Sequence, residues 1–207
     1  MLKLGFLASH NGTSFRAVVD AIEAGALDAE ARLLVANRKD APALAFAAEH
    51  GVPHRCIPTA ADPGAADAAL KAALRAAGVE LVVLSGYLRK LGPKTLAAYS
   101  GRILNIHPAL LPKYGGQGMY GRHVHEAVAK AGERVTGASV HIVDDEYDHG
   151  PVILQREVAL AAGDDAAAVE AKVTAAEAGL FVDVLRRISE GSLVLPQPTA
   201  TISDNLP

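Results

Sequence analysis

The sequence predicts an α/β fold: a predominantly parallel, Rossmann-like twisted sheet with helices on both faces and an antiparallel extension toward the C-terminus. Short apolar runs of strand length alternate with longer Ala-rich stretches of helical period, which is typical of parallel strands joined by right-handed crossovers. The run 81–84 is continuously apolar, as expected of a strand buried on both faces. Two longer apolar runs, 135–143 and 152–160, flank an acidic turn and predict the antiparallel extension.

The first half of the chain predicts three strand–helix units ahead of the central apolar run. The predicted strands comprise residues 2–8, 33–36 and 53–57, and the helices that follow them comprise residues 14–24, 41–50 and 65–77. In the first helix Phe15, Val18 and Ile22 fall at helical spacing. Ser14 is a suitable N-cap for this helix, and Gly25 is a suitable stop signal.

The second half departs from this regular alternation. The next strand leads into a long irregular segment, 105–122, which contains two Pro, four Gly and two Tyr. Loops of this length in compact domains are usually functional. A short helix, 123–130, the two strands of the extension and a long helix, 165–188, follow. Since no repeat or linker is evident, we expect a single domain over residues 1–190 and a tail, 191–207, that wraps the surface.

Composition and charge exclude several classes of protein. The 207 residues carry 20 Lys and Arg against 23 Asp and Glu, a net charge of −3 that is unlike a basic nucleic-acid-binding protein. Half of the residues are hydrophobic, which is too many for a disordered chain. The lone Cys56 cannot form an intrachain disulfide, and no apolar run reaches the roughly 18 residues of a membrane span. The opening apolar run has no basic leader, so we expect a cytoplasmic protein that binds neither nucleic acid nor membranes.

The turn after the first strand, 9–14, is a candidate anion site. A turn from a strand into a helix directs free N–H groups and the positive end of the helix dipole at one point, which favours a phosphate. Gly12 permits close approach of the backbone, and Thr13 and Ser14 add hydroxyl donors. The glycines of the dinucleotide fingerprint and the Gly-Lys-Ser/Thr of a P-loop are both missing. An ordinary turn with an N-cap is the alternative.

Asn105 and His107 are candidate groups for acyl-transfer chemistry. They lie two residues apart at the end of a predicted strand, so they project to the same side of the sheet while Ile106 faces away. An amide donor beside an imidazole can stabilise the oxygen that becomes negative when a nucleophile attacks a carbonyl group. The alternative, a loop-capping Asn105 and a satisfied core His107, is equally compatible with these residues alone.

The acidic turn 144–150 supplies a third candidate group. One of its carboxylates can orient an imidazole or accept a proton from an attacking amine, whereas most of them fit a solvated hairpin turn. A metal site is the other interpretation, and five histidines near an Asp raise it: His107, His123, His125, His141 and His149. None of them has the spacing of a known zinc motif, so we expect no metal.

Several motifs, in the right order along the chain, resemble the folate-dependent formyltransferases. The run Asn-Ile-His-Pro-Ala-Leu-Leu-Pro-Lys-Tyr at 105–114 resembles their hallmark loop, and 136–141 followed by Asp148 resembles its downstream partner. The segment 85–89 is similar to their folate-side loop, and Asn-Gly-Thr at 11–13 to the loop that holds a substrate phosphate. By length, the chain is most similar to the phosphoribosylglycinamide formyltransferase family.

This resemblance implies Asn105, His107 and Asp148 as the catalytic residues. In that family the amine of glycinamide ribonucleotide attacks the formyl carbon of the co-substrate 10-formyltetrahydrofolate, in the one-carbon chemistry of purine biosynthesis. The resemblance implies that Asn105 and His107 stabilise the tetrahedral oxyanion, and that Asp148 holds His107 charged or relays the amine proton. Direct transfer of this kind requires no metal.

The resemblance also implies which residues bind the two substrates. The ribonucleotide and its phosphate are expected at Asn11, Gly12, Thr13, Ser14 and Glu177. The folate is expected at Leu88, Arg89, Lys90, Leu91, Asn105, Val143 and Asp144. The phosphate site would then belong to the half of the domain over residues 1–100, and the folate and catalytic residues to residues 101–190. The state of assembly is expected to be a monomer or a homodimer.

The chain departs from the family pattern at several positions. His10 stands where a Gly is usual, so its side chain either crowds the phosphate turn or adds a donor to it. Ala109 replaces the usual Ser of the hallmark loop, and 115–121 has an unusual glycine-rich form. An expected Arg before the third helix has no counterpart at 63–65. These differences bear on the ligand contacts rather than on the catalytic residues.

Three other interpretations compete with the glycinamide enzyme. Related enzymes use other acceptors: methionyl-tRNA, a sugar nucleotide or, in formyltetrahydrofolate hydrolase, water. The tRNA enzyme carries a further C-terminal domain and the hydrolase usually an N-terminal regulatory one, so the length favours the glycinamide enzyme. A non-catalytic binding module would not need all three catalytic residues. A nicotinamide-dependent enzyme is disfavoured because the glycine fingerprint is missing.

Overall fold

The computed structural model describes residues 1–196, which form a seven-stranded sheet flanked by helices. In chain order the elements are β1 (Leu2–Ala8), α1 (Thr13–Glu23), β2 (Ala29–Ala36), α2 (Pro42–Glu49), β3 (His54–Cys56), α3 (Pro63–Ala76), β4 (Leu81–Leu84), α4 (Pro93–Ala98), β5 (Ile103–His107), α5 (Arg122–Lys130), β6 (Val135–Ile142), β7 (Val152–Ala159) and α6 (Ala166–Ser189). The strands lie in the order β3-β2-β1-β4-β5-β6-β7. Neighbouring strands from β3 to β5 are parallel, and β6 runs antiparallel to both of its neighbours, β5 and β7. The predicted α/β fold with its antiparallel extension is confirmed.

Apolar side chains are buried on both faces of this sheet. The larger cluster packs α1, α5 and α6 against one face and includes Phe6, Phe15 and Phe181. The smaller cluster packs α3 and α4 against the other face and includes Leu74 and Ile103. Strands β1, β4 and β5 lie at the centre of the sheet, so both of their faces are covered. Their carboxyl ends therefore form a rigid base on which loops can hold functional groups.

Two elements near the edge of the sheet differ from the prediction. Strand β2 begins at Ala29 rather than at residue 33, because the polar Glu30 continues the parallel ladder with β1, while Arg32 is left unpaired at a register shift. These side chains are half-buried at best, so the start of β2 lacks the apolar signal by which strands are recognised. Strand β3 is shorter than predicted, since only His54–Cys56 pairs with β2.

Helix α4 was not predicted at all. It has only six residues, too few for an amphipathic pattern to be visible in the sequence. Its first turn is instead stabilised by Asp67 of α3, which accepts hydrogen bonds from the main-chain N–H groups of Lys94 at 2.8 Å and Thr95 at 3.0 Å. Gly92 is required beside this carboxylate, because a Cβ there would lie 2.3 Å from the carboxyl carbon of Asp67. A side chain distant in sequence therefore stabilises the first turn of this helix.

The C-terminal segment was expected to wrap the surface. Of the predicted tail 191–207, residues 197–207 lie outside the described part of the chain. Within the described part, Leu195 is buried, and the carbonyl of Pro196 accepts a hydrogen bond from Arg102 at 3.0 Å. Among residues 1–196, no helix combines the length and the apolar character needed to cross a membrane.

Candidate active site

A cleft of about 930 Å³ opens at the carboxyl ends of β1, β4 and β5. Ligands of parallel α/β sheets bind at this end of the strands. The walls of the cleft comprise the segments 9–14, 37–38, 85–89, 105–108 and 116–121, together with His125, Tyr147, Asp148, Glu170, Thr174 and Glu177. The cleft therefore joins the predicted anion turn to the predicted acyl-transfer residues in one continuous space.

The turn between β1 and α1 presents main-chain donors to the cleft. Gly12 is the N-cap of α1 and has a left-handed backbone (φ 64°), so a side chain there would be strained. Ser14 was predicted as the N-cap, but it lies buried in the first turn of the helix instead. Within residues 1–196, the amides of Gly12, Thr13 and Ser14 donate no hydrogen bond. Three free donors at a helix N-terminus suit an anion.

Arg38 is a cationic residue beside this turn that the sequence did not reveal. It lines the cleft from the loop after β2, and its guanidinium makes a two-pronged pair with Asp40, with N···O distances of 2.7 and 3.0 Å. The pair is exposed on the surface. Its position just after a parallel strand was the one feature of the sequence that could have indicated a place in the cleft. Arg38 therefore brings a cationic side chain to the cleft that holds the anion turn. The Arg expected before the third helix has no counterpart at 63–65.

Strand β5 carries both predicted acyl-transfer residues to the cleft. Asn105 and His107 line it, as does Ile106 between them, and both pair with residues of the neighbouring antiparallel strand β6. His107 is 3% exposed, and its Nε2 lies 2.7 Å from the carbonyl oxygen of Tyr114. The Asn105 amide nitrogen lies 3.1 Å from Nε2 of His141. The two side chains thus stand next to each other with fixed orientations.

Asp148 comes to the same place from the turn between β6 and β7. Its Oδ2 lies 3.4 Å from Nδ1 of His107 and accepts a hydrogen bond from the N–H of Gly116 at 3.0 Å. Its backbone is left-handed (φ 56°), a conformation that Asp and Asn tolerate better than most residues. Nearby, Gly150 permits the turn to pack closely, since a Cβ would lie 2.0 Å from the carbonyl oxygen of Ile142. The structure therefore brings all three predicted catalytic residues together.

Burial and neighbouring charges set the protonation of this pair. Burial lowers the pKa of His107 below its usual value, although Asp148 and the Tyr114 carbonyl oppose the shift. For Asp148, burial acts to raise the pKa, but His141, His107 and the N–H of Gly116 together outweigh it and lower the pKa. Asp148 is therefore a carboxylate near neutral pH, 3.4 Å from Nδ1 of His107. The two roles expected for Asp148, holding His107 charged and relaying the amine proton, both require this carboxylate.

His141 is a member of the site whose position the sequence did not predict. The sequence raised it as a metal ligand and as the last residue of the motif at 136–141; in the fold it lies opposite Asn105 in the β5–β6 ladder and is 2% exposed. Its Nε2 lies 3.5 Å from Oδ1 of Asp148 as well as 3.1 Å from the Asn105 amide. Its Nδ1 lies 3.0 Å from the carbonyl oxygen of Ile142. Only the register of the β5–β6 pairing, which the sequence does not specify, shows that His141 is the neighbour of Asn105.

Helices α5 and α6 contribute a polar wall to the cleft. Glu170, Thr174 and Glu177 follow one another at a spacing of four and three residues, so they share one face of α6. Burial, with a contribution from Glu170, raises the pKa of Glu177 to about 7. His125 of α5 is buried beside them, and within residues 1–196 its Nδ1 has no hydrogen-bond partner. This wall is polar but not saturated with internal hydrogen bonds.

The predicted folate residues divide into two groups. Leu88 and Arg89 line the cleft with Asn105, and Leu88 is an exposed apolar side chain at its mouth. Four others do not form its wall: Lys90, Leu91, Val143 and Asp144. Leu91 is buried in the core that packs α3 and α4, with Val143 against that core. Lys90 lies over the ring of Tyr147, and Asp144 holds His149 at 3.0 Å. The predicted phosphate and ribonucleotide residues, in contrast, all line the cleft: Asn11, Gly12, Thr13, Ser14 and Glu177.

Two of the histidines considered as metal ligands, His107 and His141, lie within 3.5 Å of Asp148, but the ligand atoms of these three residues are not all close enough to one another to hold an ion. Across residues 1–196, the one group with ligand atoms close enough to hold an ion is Asp20, Glu23 and His50. It lies on the outer surface of α1 and α2, away from the cleft. His123 and His149 are exposed on separate elements.

Comparison with known families and proteins gives a consistent picture. A family model described as formyl transferase matches residues 2–185 of the chain. The chain is similar to phosphoribosylglycinamide formyltransferase of Escherichia coli, with 36% identity over 94% of the chain and 90% of the relative. It is similar to the chloroplastic phosphoribosylglycinamide formyltransferase of Arabidopsis thaliana, with 37% identity over 91% of the chain, and spans 65% of that relative's length.

A solved structure shares the fold. The crystal structure of glycinamide ribonucleotide transformylase 1 from Symbiobacterium toebii superposes with a TM-score of 0.87 at 34% identity. The match covers 96% of this chain and 92% of that one.

Proposed function

The chain belongs to the formyl transferase family, and on that premise we propose that it transfers the formyl group of 10-formyltetrahydrofolate to the amine of glycinamide ribonucleotide. The products are formylglycinamide ribonucleotide and tetrahydrofolate, and the step belongs to purine biosynthesis. The observation that carries the proposal is the convergence of Asn105, His107 and Asp148 in a cleft that also holds an anion turn. A ribonucleotide phosphate and a reacting formyl group need these two sites in one space.

The first chemical step is attack of the neutral amine nitrogen on the formyl carbon. As the C–N bond forms, the carbonyl oxygen becomes an oxyanion, and the amide of Asn105 is placed to donate a hydrogen bond to it. The nitrogen must lose a proton in the same step. The ionised Asp148 carboxylate accepts that proton and shares it with His107, whose Nδ1 lies 3.4 Å from Oδ2 of Asp148.

Collapse of the tetrahedral intermediate completes the transfer. The bond between the former formyl carbon and N10 of the folate breaks, and N10 takes up the proton that the amine released. The imidazolium of His107 is a suitable donor for it, and Asp148 stabilises that cation from 3.4 Å. No covalent enzyme intermediate is required, because the attacking nitrogen and the leaving nitrogen both belong to substrates.

Different residues of the cleft suit the two substrates. The free amides of Gly12, Thr13 and Ser14 suit the phosphate, and Arg38 lines the same cleft. The carboxylate of Glu177 can accept a hydrogen bond from a ribose hydroxyl. Leu88 and Arg89 add an apolar and a cationic contact, which suits a folate with its pterin ring and carboxylates.

A spectrophotometric assay of tetrahydrofolate formation, with and without glycinamide ribonucleotide, tests the proposal. We expect product only when the ribonucleotide is present. Product formed without it would indicate a hydrolase, and no product in either case would contradict formyl transfer from this folate. We propose with it a cytoplasmic enzyme, monomeric or dimeric, with residues 1–190 as one domain. Cell fractionation and sedimentation test the first two points, and limited proteolysis the third.

A further inference from the structure

His125 is a buried polar side chain of the cleft wall whose hydrogen-bonding capacity is unused. It lies on α5, is 4% exposed and lines the cleft. Within residues 1–196, neither of its ring nitrogens makes a hydrogen bond, and Nδ1 is completely enclosed by the protein. Buried polar groups without a partner are rare, because each one costs the free energy of a lost hydrogen bond. An unused side chain at this depth therefore suggests a partner that enters the cleft.

The surroundings of the ring determine which nitrogen carries its hydrogen. Nδ1 of His125 meets no acceptor, and buried N–H groups without an acceptor are rarer than unpaired acceptors. The hydrogen therefore resides on Nε2, which is not enclosed as Nδ1 is and can meet a ligand in the cleft. Burial also lowers the pKa of His125, although Glu170 opposes the shift, and this agrees with a neutral ring. His125 thus offers the cleft one hydrogen-bond donor.

Glu170 of α6 offers the complementary group, an acceptor. Helices α5 and α6 pack together, and their contact lies in a core that includes four fully buried valines, Val124, Val128, Val169 and Val173. His125 and Glu170 each follow one of these valines in the sequence, and both line the cleft. They are close enough for the charge of Glu170 to raise the pKa of His125. A donor and an acceptor therefore stand beside each other on one wall.

We propose that His125 and Glu170 bind the amide group of the substrate, the CO–NH unit that joins its glycine part to the ribose. This inference rests on the function proposed above. An amide presents one carbonyl acceptor and one N–H donor, and the wall presents one N–H donor and one carboxylate acceptor. Nε2–H of His125 donates to the carbonyl oxygen, and the carboxylate of Glu170 accepts from the amide N–H.

The order of groups in the substrate agrees with the order of residues in the cleft. The amine must reach His107 and Asp148, one methylene carbon separates it from the amide, and the ribose follows the amide. His125 is close enough to His107 for the two rings to interact electrostatically. Glu177, which suits a ribose hydroxyl, is the next carboxylate after Glu170 on α6, and Glu170 raises its pKa. The amide therefore falls between these groups, beside His125 and Glu170.

Binding of two unreactive ligands tests the proposal by isothermal titration. The first is the acetamide analogue of glycinamide ribonucleotide, which retains the amide and lacks the amine. The second is ribose 5-phosphate, which lacks the amide altogether. We expect the unmodified protein to prefer the acetamide analogue. His125→Leu and Glu170→Leu should each weaken its binding about tenfold, as expected for one lost hydrogen bond, and leave the affinity for ribose 5-phosphate unchanged. His125→Gln, which retains a donor, should restore part of the preference.

His123→Leu and Glu190→Leu are the matched controls. Both residues are exposed and lie outside the cleft, His123 on α5 and Glu190 at the end of α6, so neither substitution should alter the preference. An unchanged preference in His125→Leu and Glu170→Leu, or an equal loss of affinity for both ligands, would overturn the inference. If such a protein still formed tetrahydrofolate, the proposed function would stand. A protein that shows the expected preference but transfers no formyl group would contradict the proposed function alone.

A measurement on the unmodified protein requires no folded variant at either position. Long-range ¹H–¹⁵N correlation identifies the nitrogen that carries the hydrogen of a neutral imidazole. We expect the hydrogen of His125 on Nε2, and a shift of the Nε2 signal on addition of the acetamide analogue but not of ribose 5-phosphate. A hydrogen on Nδ1, or an Nε2 signal that does not respond to the analogue, would exclude His125 as the donor to the amide.

Discussion

The β1–α1 turn and the centre formed by Asn105, His107 and Asp148 line the same cleft, but they present different chemical groups. The turn offers main-chain N–H groups whose direction is set by Gly12 and by the start of a helix. The centre offers side chains that contact one another, directly or through His141, at 3.1 to 3.5 Å, and its His107 also contacts a main-chain carbonyl at 2.7 Å. The first kind of site depends on backbone conformation and little on side-chain identity. The second depends on which atoms carry protons, so it is sensitive to conservative substitution and to pH.

The largest expected effect comes from replacing the carboxylate of the centre. Asp148→Asn should lower kcat by roughly 100- to 10,000-fold, the range over which positioned acids and bases contribute. The fold should survive, because Asn also tolerates the left-handed backbone found at this position (φ 56°). Steady-state kinetics and circular dichroism measure the two quantities. His107→Ala should behave similarly.

Asp145→Asn is the matched control for this prediction. Asp145 is an exposed acid in the same turn, and we expect its replacement to leave kcat unchanged. A nearly normal kcat in Asp148→Asn would mean that the carboxylate takes no part in the reaction and that the centre is not built on proton transfer.

At the β1–α1 turn, the largest effect is expected from a substitution of Gly12. Gly12→Asp strains a left-handed position (φ +64°) and adds a negative charge where the phosphate is proposed to bind. We expect the KM for glycinamide ribonucleotide to rise roughly 10- to 100-fold, equivalent to the loss of a hydrogen bond to a charged group. The KM for the folate should change little.

Gly25→Asp is a suitable comparison, since Gly25 has nearly the same backbone (φ +69°) in open space and lies away from the cleft. It carries the same conformational cost, so it separates general destabilisation from loss of binding. Equal increases of both Michaelis constants in Gly12→Asp would contradict a phosphate site at this turn.

Glu177 connects the two kinds of site, since it is a titratable side chain at the ribonucleotide end. Its pKa is raised from 4.5 to about 7, so the folded state binds a proton that the unfolded state has released between these values. Its contribution is therefore most favourable below pH 4.5 and is lost as pH rises to about 7. Above pH 7 the ionised side chain costs up to about 3 kcal/mol of unfolding free energy, less where solvent in the cleft screens it.

Glu177→Gln should remove this cost. We expect urea denaturation to show a more stable protein at pH 8 and almost no change at pH 4.5, with a several-fold higher KM for the ribonucleotide. Glu49→Gln, at an exposed position of α2, is the control. If Glu177→Gln stabilised the protein equally at both pH values, the effect would not come from burial of the charge.

The smallest effect is expected at His10. Its side chain is exposed, and its main-chain carbonyl already accepts a hydrogen bond from Ala43 at 3.1 Å. If main-chain amides alone bind the phosphate, His10→Gly should change the KM for the ribonucleotide by no more than about twofold, as is usual for surface substitutions. An increase of tenfold or more would show that the imidazole acts as a donor. Isothermal titration with the ribonucleotide provides the same comparison without turnover.

Local patterns in the sequence predicted much of this site. The two-residue spacing of Asn105 and His107 on a strand was sufficient to predict that both face one side, and β5 has that geometry. The strand-to-helix turn at Gly12 was visible in the same way. Motif resemblance added Asp148, whose approach to His107 spans 41 residues of chain that no periodicity connects.

Contacts between distant segments could not be predicted in this way. The pairing of Asn105 with His141 requires the register of two antiparallel strands, which single residues do not specify. The contact of the Tyr114 carbonyl with His107 depends on a left-handed backbone inside an irregular loop. Helix α4 is stabilised by Asp67, a side chain from another helix.

Local patterns in the sequence predict the alternation of strands and helices, apart from α4, the buried central strand, and the placement of Asn105 and His107 at the end of β5. These features follow from hydrophobic period and spacing, which act over a few residues. Folding brings together the atoms of the centre that face one another, including the ring nitrogen of His107 that contacts Tyr114. Protonation in a buried site depends on distances of 3 to 4 Å between groups far apart in sequence, and those distances exist only after the chain has folded.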